Sequence, residues 1–442
     1  MAIIYNSNSF NVSTIEYGYS GSTLIYSMYG DNIPTRPVDP PIAISGKIRT
    51  SSSTSWLLTE DGNLYGSGQG GSGQQGSGSA STEVTMTKRA ENVKDVDCSS
   101  KVTWYVTNSG DLYGCGSGGC GNQGSGNTDV VVTFTKRAEN VKSVSTDYDV
   151  NGASEVAEKM VTWYVTNSGD LYGCGYNNSG SQGSGDTNNV LTFTKRAENV
   201  RQVIGNYNTT WYVTNSGDLY GCGNGYYGQQ GNDSTENVLT FTKRASNVKK
   251  IASTAYATYY IDNNNDLYAC GWGRYYTFGN DSTSNLLEFT KIASNVKDIA
   301  CSHYVTWYLD TNNNLYGAGK NSEGNQGSGD SDNVRVFTKR AEDIKKVVCS
   351  SNATWYITNS GDLYGCGENY GGSQGSGEDW STVRTFTKRM ENVKDVSCTN
   401  QNTICLLESG DYYGCGNNSE GQLGLGHANR VNTFTKITLP LE

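Results

Sequence analysis

The chain has 442 residues, among them 55 Gly, 31 Tyr and only 5 Pro, and a formal net charge of -10. A field of that sign repels nucleic acid and anionic membrane surfaces, and no run of about 18 apolar residues is present to span a bilayer. Glycine supplies positive φ at turns and tyrosine suits a half-buried pleated surface, so the composition points to many short strands joined by tight turns.

In chain order, residues 1–45 come first. "FNVSTIEYGYSGSTLIYSMYG" holds two short alternating runs split by Ser and Gly, and "IPTRPVDPPIAI" follows as a stiff, extended stretch. A small β arm and a Pro-rich spacer are expected here, with a boundary before residue 46. The opening "MAIIYNSNSF" lacks the basic and apolar regions of a secretion signal.

From residue 46 to 442 the chain is periodic. The Leu of "LYG" falls at Leu64, Leu112, Leu171, Leu219, Leu267, Leu315 and Leu363, with Tyr412 in the eighth place, at spacings of 48, 59, 48, 48, 48, 48 and 49. A period near 50 with several strand signals per copy is that of a propeller. In the second copy the strand-prone runs are "VKDVDC", "VTWYVT", "DLYGCG" and "VVTFTK", and "NSGD" makes a hairpin turn between the second and third. Four antiparallel strands make one blade, so the expected fold is all-β, a single propeller of eight four-stranded blades.

The last copy runs "YYGCGNNSE" into "GQLGLG" (Gly421 to Gly426), and earlier copies carry "GQQGSG", "GNQGSG", "GSQGSG" and "GQQGND". These residues resemble the repeat of the regulator of chromosome condensation family, over about residues 46–437. The resemblance implies a propeller, seven-bladed by the family's precedent against eight by count. It also implies guanine-nucleotide exchange on a small GTPase or chromatin binding as a function. The fifth copy departs most, with "YYTFGND" in place of the Gln-Gly motif. Residues 1–30 resemble short N-terminal segments of bacteriophage virion proteins, which implies an anchor to a larger assembly and a place on a virion surface, the cytoplasm being the other expectation.

Several repeated residues could carry chemistry. Of 12 cysteines, Cys98 and Cys115, Cys349 and Cys366, and Cys398 and Cys415 are each 17 apart, yet Cys174, Cys222 and Cys270 lack the first partner. Single losses favour free thiols acting as small core residues over a disulfide ladder, and no CxxC pair or histidine cluster suggests a metal. Trp56, Trp104, Trp163, Trp211, Tyr259, Trp307, Trp355 and Ile404 hold one mid-strand position, where packing between blades is the simpler account than a stacking platform. In "TKRAEN" each Arg is expected to pair with the Glu two residues on, as in Arg137 with Glu139. No nucleophile–base set and no phosphate loop is visible, so no enzyme and no cofactor is expected.

Turns and blade links vary little, whereas the loops after "GCG" vary on the opposite face. They carry Tyr226, Tyr227, Trp272, Arg274, Tyr275, Tyr276, Tyr370 and Trp380, joined by Tyr148 in the eleven-residue insertion of copy three. Aromatic residues and Arg are the content of recognition surfaces. Asp129, Asp186, Asp233, Glu236, Asp330, Asp332, Glu378 and Asp379 make the same rim acidic, which disfavours nucleic acid. The expected protein is a non-enzymatic propeller that binds a protein or glycan through this face and is tethered by residues 1–45. On the phage resemblance it would be a receptor-binding or decoration protein; exchange factor, chromatin regulator and enzyme inhibitor are the alternatives.

Overall fold

Each period closes into one antiparallel sheet whose strands lie in chain order. The structure is a computed structural model and describes residues 16–20, 23–27, 46–146, 160–206, 208–378 and 380–440. The chain divides into two compact units, Met1–Ile44 and Ser45–Glu442. In the first, Glu16–Ser20 and Thr23–Ser27 pair antiparallel in the register Glu16↔Ser27 to Ser20↔Thr23. The Pro-rich spacer lies outside the described residues. Among the described residues no helix is long and apolar enough to cross a membrane.

The second unit is a propeller of eight four-stranded blades. Blade 1 spans residues 47–90, blade 2 93–138, blade 3 141–197, blade 4 200–245, blade 5 248–293, blade 6 296–341, blade 7 344–390 and blade 8 393–437. In blade 2 the strands are Val93–Cys98, Val102–Thr107, Leu112–Gly116 and Val131–Ala138. Every blade comes from one contiguous stretch, and no strand is exchanged at the closure. Instead each loop after the third strand forms a single β-bridge with the next blade's outer strand, from Ser77↔Thr133 round to Thr85↔Leu425. The last bridge joins blade 8 to blade 1, helped by Gly426 N–H to Val84 O at 2.8 Å and Tyr412 OH to Leu58 O at 3.1 Å.

The mid-strand tryptophans are fully buried in the seams between blades. Trp104 meets the edge of Phe193 from blade 3 at 5.7 Å, and five more seams repeat that T-shaped pair. A glycine in the third strand makes room for each indole: a Cβ on Gly114 would lie 2.3 Å from Trp104 Cζ3. Blade 5 departs in concert, with Tyr259 for Trp, Ala269 for Gly and Phe278 for the loop Gln. The closing seam substitutes Ile404 and Met86 for Trp and Phe. Copies that look eroded are thus compensated within their own seam.

All 12 cysteines are free, nine of them buried. Cys98 and Cys115 flank Thr103 across three neighbouring strands, so an intervening strand separates the two thiols. The thiols of Cys115, Cys174, Cys222, Cys270 and Cys415 each donate to a loop carbonyl of the preceding blade, and Ser67 makes the same bond at the closing seam. Burial pushes these strand-three thiols well above the usual range, so they are poor nucleophiles.

The expected Arg–Glu pairs are not formed. Lys136, not Arg137, binds Glu139 at 2.7 Å and Asp111 at 2.9 Å, and Lys195, Lys339 and Lys388 hold Glu198, Glu342 and Glu391 in the same way. Neighbouring residues on a strand point to opposite faces, and a bulge between Lys136 and Ala138 resets the alternation before Glu139. Arg137 turns instead into the seam, where its charge acts on Cys174 of blade 3.

Candidate functional site on the loop face

Two sets of loops share one face of the ring. The loop after the third strand begins by donating its first N–H to the residue just before the second strand, as in Trp272 N–H to Tyr256 O and Lys320 N–H to Tyr304 O, both 2.9 Å. On the other face the second-to-third turn meets the blade link, as in Asn108 N–H to Asn92 O at 2.6 Å. The link residue Asn92 has φ 57, a left-handed conformation that Asn tolerates, and this explains the recurring Asn of "RAEN".

One residue divides the loops into two classes. In blades 3, 6, 7 and 8 it is Asn177, Asn321, Asn369 and Asn418, each buried at the centre of its loop. Asn321 Nδ2 donates to Ser328 Oγ at 2.8 Å, Asp330 O at 3.1 Å and Asp330 Oδ1 at 3.0 Å, while its Oδ1 accepts Gln326 N–H at 2.9 Å. In blades 1, 2, 4 and 5 the position is Gly70, Gly118, Gly225 and Gly273, and the loop folds down on it. A Cβ there would stand 1.7 to 2.2 Å from a backbone carbonyl oxygen. Asn321→Ala leaves the Gln326 N–H buried and unpaired, so it is expected to cost about 2–3 kcal/mol in denaturant unfolding.

The glycine class carries the aromatic cluster on blades 4 and 5. Tyr226 packs edge-on to Tyr227 at 4.9 Å, Tyr227 lies 5.2 Å from Trp272, and the Arg274 guanidinium sits over Trp272 at 5.3 Å and Tyr275 at 4.7 Å. The first-to-second loops of blades 5 and 6 complete it. Tyr256 touches Tyr227 and Trp272 at 5.4 and 5.0 Å, Tyr304 meets Tyr275 at 5.4 Å, and His303 lies against Tyr256 at 4.9 Å. Burial pushes the His303 imidazole down to about 4, so it is neutral at pH 7. Lys320 reaches over Tyr304 at 5.6 Å.

Five of the residues singled out by sequence, Tyr226, Tyr227, Trp272, Arg274 and Tyr275, therefore form one continuous surface. Tyr276 is set apart beneath Arg335, 5.1 Å from its ring. Tyr370 and Trp380 make a second, smaller cluster at 4.7 Å, with Arg430 of blade 8 over Trp380 at 5.2 Å. Tyr148 and Asp379 lie outside the described residues. Tyr256, His303, Tyr304, Lys320 and Arg430 were missed. For Tyr256 and Tyr304 the signal was available, because the same position holds Ser53, Lys101, Met160, Asn208, Asn352 and Gln401 in the other blades.

The backbone of this site is unusual. Thirteen described non-glycine residues have positive φ; eleven are Asn or Asp, and the other two are Tyr275 (φ 63) and Tyr276 (φ 65). Position 276 is glycine in the seven other blades, with φ between 70 and 82. A left-handed residue with a side chain costs roughly 1–2 kcal/mol. The ring contacts of Tyr275 and the Arg335 contact of Tyr276 hold that conformation in place.

A closed ring of contiguous blades with variable loops gathered on one face defines a β-propeller of the binding type. Residues 393–422, in blade 8, match the regulator of chromosome condensation (RCC1) repeat. No curated protein matches the sequence. Human WBSCR16 is similar in structure at 16% identity and a TM-score of 0.58, over 75% of this chain and 94% of that one. Prp20p from Saccharomyces cerevisiae, described with its binding to Gsp1p and histones, is similar at 19% identity and 0.56, over 74% and 86%. Yeast RCC1 (Prp20) with Kap60 bound gives 14% and 0.58, over 91% and 95%. The repeat and the fold make this chain an RCC1-like β-propeller, here with eight blades.

Proposed function

We propose that the chain is a non-enzymatic binding propeller whose ligand, a protein or a glycan, is held by the aromatic cluster on blades 4 to 6, with residues 1–45 tethering it to a larger assembly. The observation that carries this reading is the pair of left-handed tyrosines. Unconstrained loop drift does not select two strained aromatic residues where the other blades keep glycine at the second position, whereas strain is retained where a side chain is needed in one place. The N-terminal resemblance to phage virion proteins favours a virion as the assembly and receptor binding or decoration as the task.

Nucleotide exchange is the second reading. It rests on likeness to Prp20p at 14 and 19% identity, which carries the fold, and the copy-three insertion that would serve as an exchange wedge lies outside the described residues. An exchange assay on a panel of small GTPases separates the two, with no acceleration expected. Alanine at Trp272 and Arg274 is expected to weaken ligand capture at least tenfold, or about 1.4 kcal/mol, with an unchanged melting temperature. Unchanged capture would count against the binding reading.

A further inference from the structure

We propose that the ligand is an acidic polysaccharide, its carboxylate held by Arg274 and its sugar rings by Tyr226 and the polar pocket beside it. This rests on the binding reading above and names the chemistry of its ligand.

Three cations reach over the rings of the cluster. Lys320 has Glu323 at 3.8 Å and Arg335 has Asp281 at 2.6 Å, so both are neutralised. Arg274 is exposed and has no carboxylate partner among the described residues, in a chain of net charge -10. A guanidinium stacked between Trp272 and Tyr275 keeps its in-plane N–H groups free, and their fork fits a carboxylate. The uncompensated charge therefore calls for an anionic group on the ligand.

The other end of the cluster calls for hydroxyls. Tyr226 is 68% exposed and borders a pocket lined by Asn224, Thr235, Glu236, Asn237 and Leu239. Asn224 Oδ1 accepts Tyr226 N–H at 2.8 Å and Asn237 Oδ1 accepts Gly225 N–H at 3.2 Å, which leaves both Nδ2 groups to donate outward. Two amide donors, a hydroxyl and a carboxylate beside an open ring face suit vicinal hydroxyls, each of which donates and accepts. Tyr227 and Trp272 connect this pocket to Arg274 without a break. Tyr370, Trp380 and Arg430 repeat the trio of Tyr, Trp and stacked Arg on blades 7 and 8. Two sites of one chemistry on one face favour a polymer that repeats its acidic unit, as a polysaccharide does.

The test is calorimetric titration with fragments of hyaluronan and of polygalacturonate, each beside its carboxyl-reduced form. At least one acidic fragment is expected to bind, and reduction of its carboxylates to weaken binding about tenfold or more. Arg274→Gln should cause the same loss on the acidic fragment and none on the reduced one, and Tyr226→Ala should weaken both. Equal binding of acidic and reduced forms overturns the proposal, as does failure of both acidic polymers. If a protein partner is captured through Trp272 while both polymers fail, the polysaccharide is excluded and the binding reading stands.

Discussion

Gly317→Ala is expected to lower the unfolding free energy by roughly 2–3 kcal/mol, and Trp307→Tyr placed beside it to recover about half of that or more. The Cβ would stand 2.4 Å from Trp307 Cζ3 and 2.5 Å from Gln326 Oε1, in a seam where Trp307 is wholly buried. The Gln end can swing away, but the indole is wedged against Phe386 at 5.8 Å and has nowhere to go. Blade 5 shows the remedy, because Ala269 lies opposite Tyr259 there and the Tyr259 hydroxyl bonds Thr306 Oγ1 of the next blade at 2.9 Å. In blade 6 the corresponding partner is Thr354 of blade 7. Trp307→Tyr alone leaves a gap beside Gly317 and is expected to destabilise as well, so the pair should be less costly than the sum of its parts. Urea unfolding of the three variants measures the coupling, and strict additivity would show that the two positions do not share a contact.

The second large effect separates stability from function. Glycine at both Tyr275 and Tyr276 removes two left-handed side chains, a relief of roughly 1–2 kcal/mol each, and raises the chain's unfolded entropy by about as much. Stability should therefore stay within about 1 kcal/mol of the parent. Ligand capture should be abolished, since the ring of Tyr275 and the perch of Arg274 are lost together. A variant that is as stable as the parent and still captures ligand would leave the two strained tyrosines without a role.

The scaffold was legible because it is repeated. The Leu of "LYG" marks each third strand, and the tryptophan position and the hairpin glycines carry through from period to period, so blade number and strand order follow from spacing. Compensation was harder to read. Ala269 looks like drift until it is placed against Tyr259, and that contact spans two strands. The charge pairing was misread because "KRAE" places Arg nearer to Glu along the chain, while the bulge near the strand end gives Glu139 to Lys136. The binding face was half legible. Loops after "GCG" advertise themselves by their variation, whereas Tyr256 and Tyr304 sit in short loops directly before strands, where an aromatic residue reads as part of the strand. The left-handed φ of Tyr275 and Tyr276 has a trace in sequence only at the second position, where Tyr stands in a column of glycines.

Site-specific photocrosslinking tests the binding face most directly. A benzoylphenylalanine at Tyr226 stands on the loop face of blade 4, and one at Ser216 stands in the exposed second-to-third turn of the same blade on the opposite face. Crosslinks to the captured ligand are expected from position 226 and not from position 216. Equal crosslinking from both, or crosslinking from 216 alone, would contradict a ligand surface on the loop face.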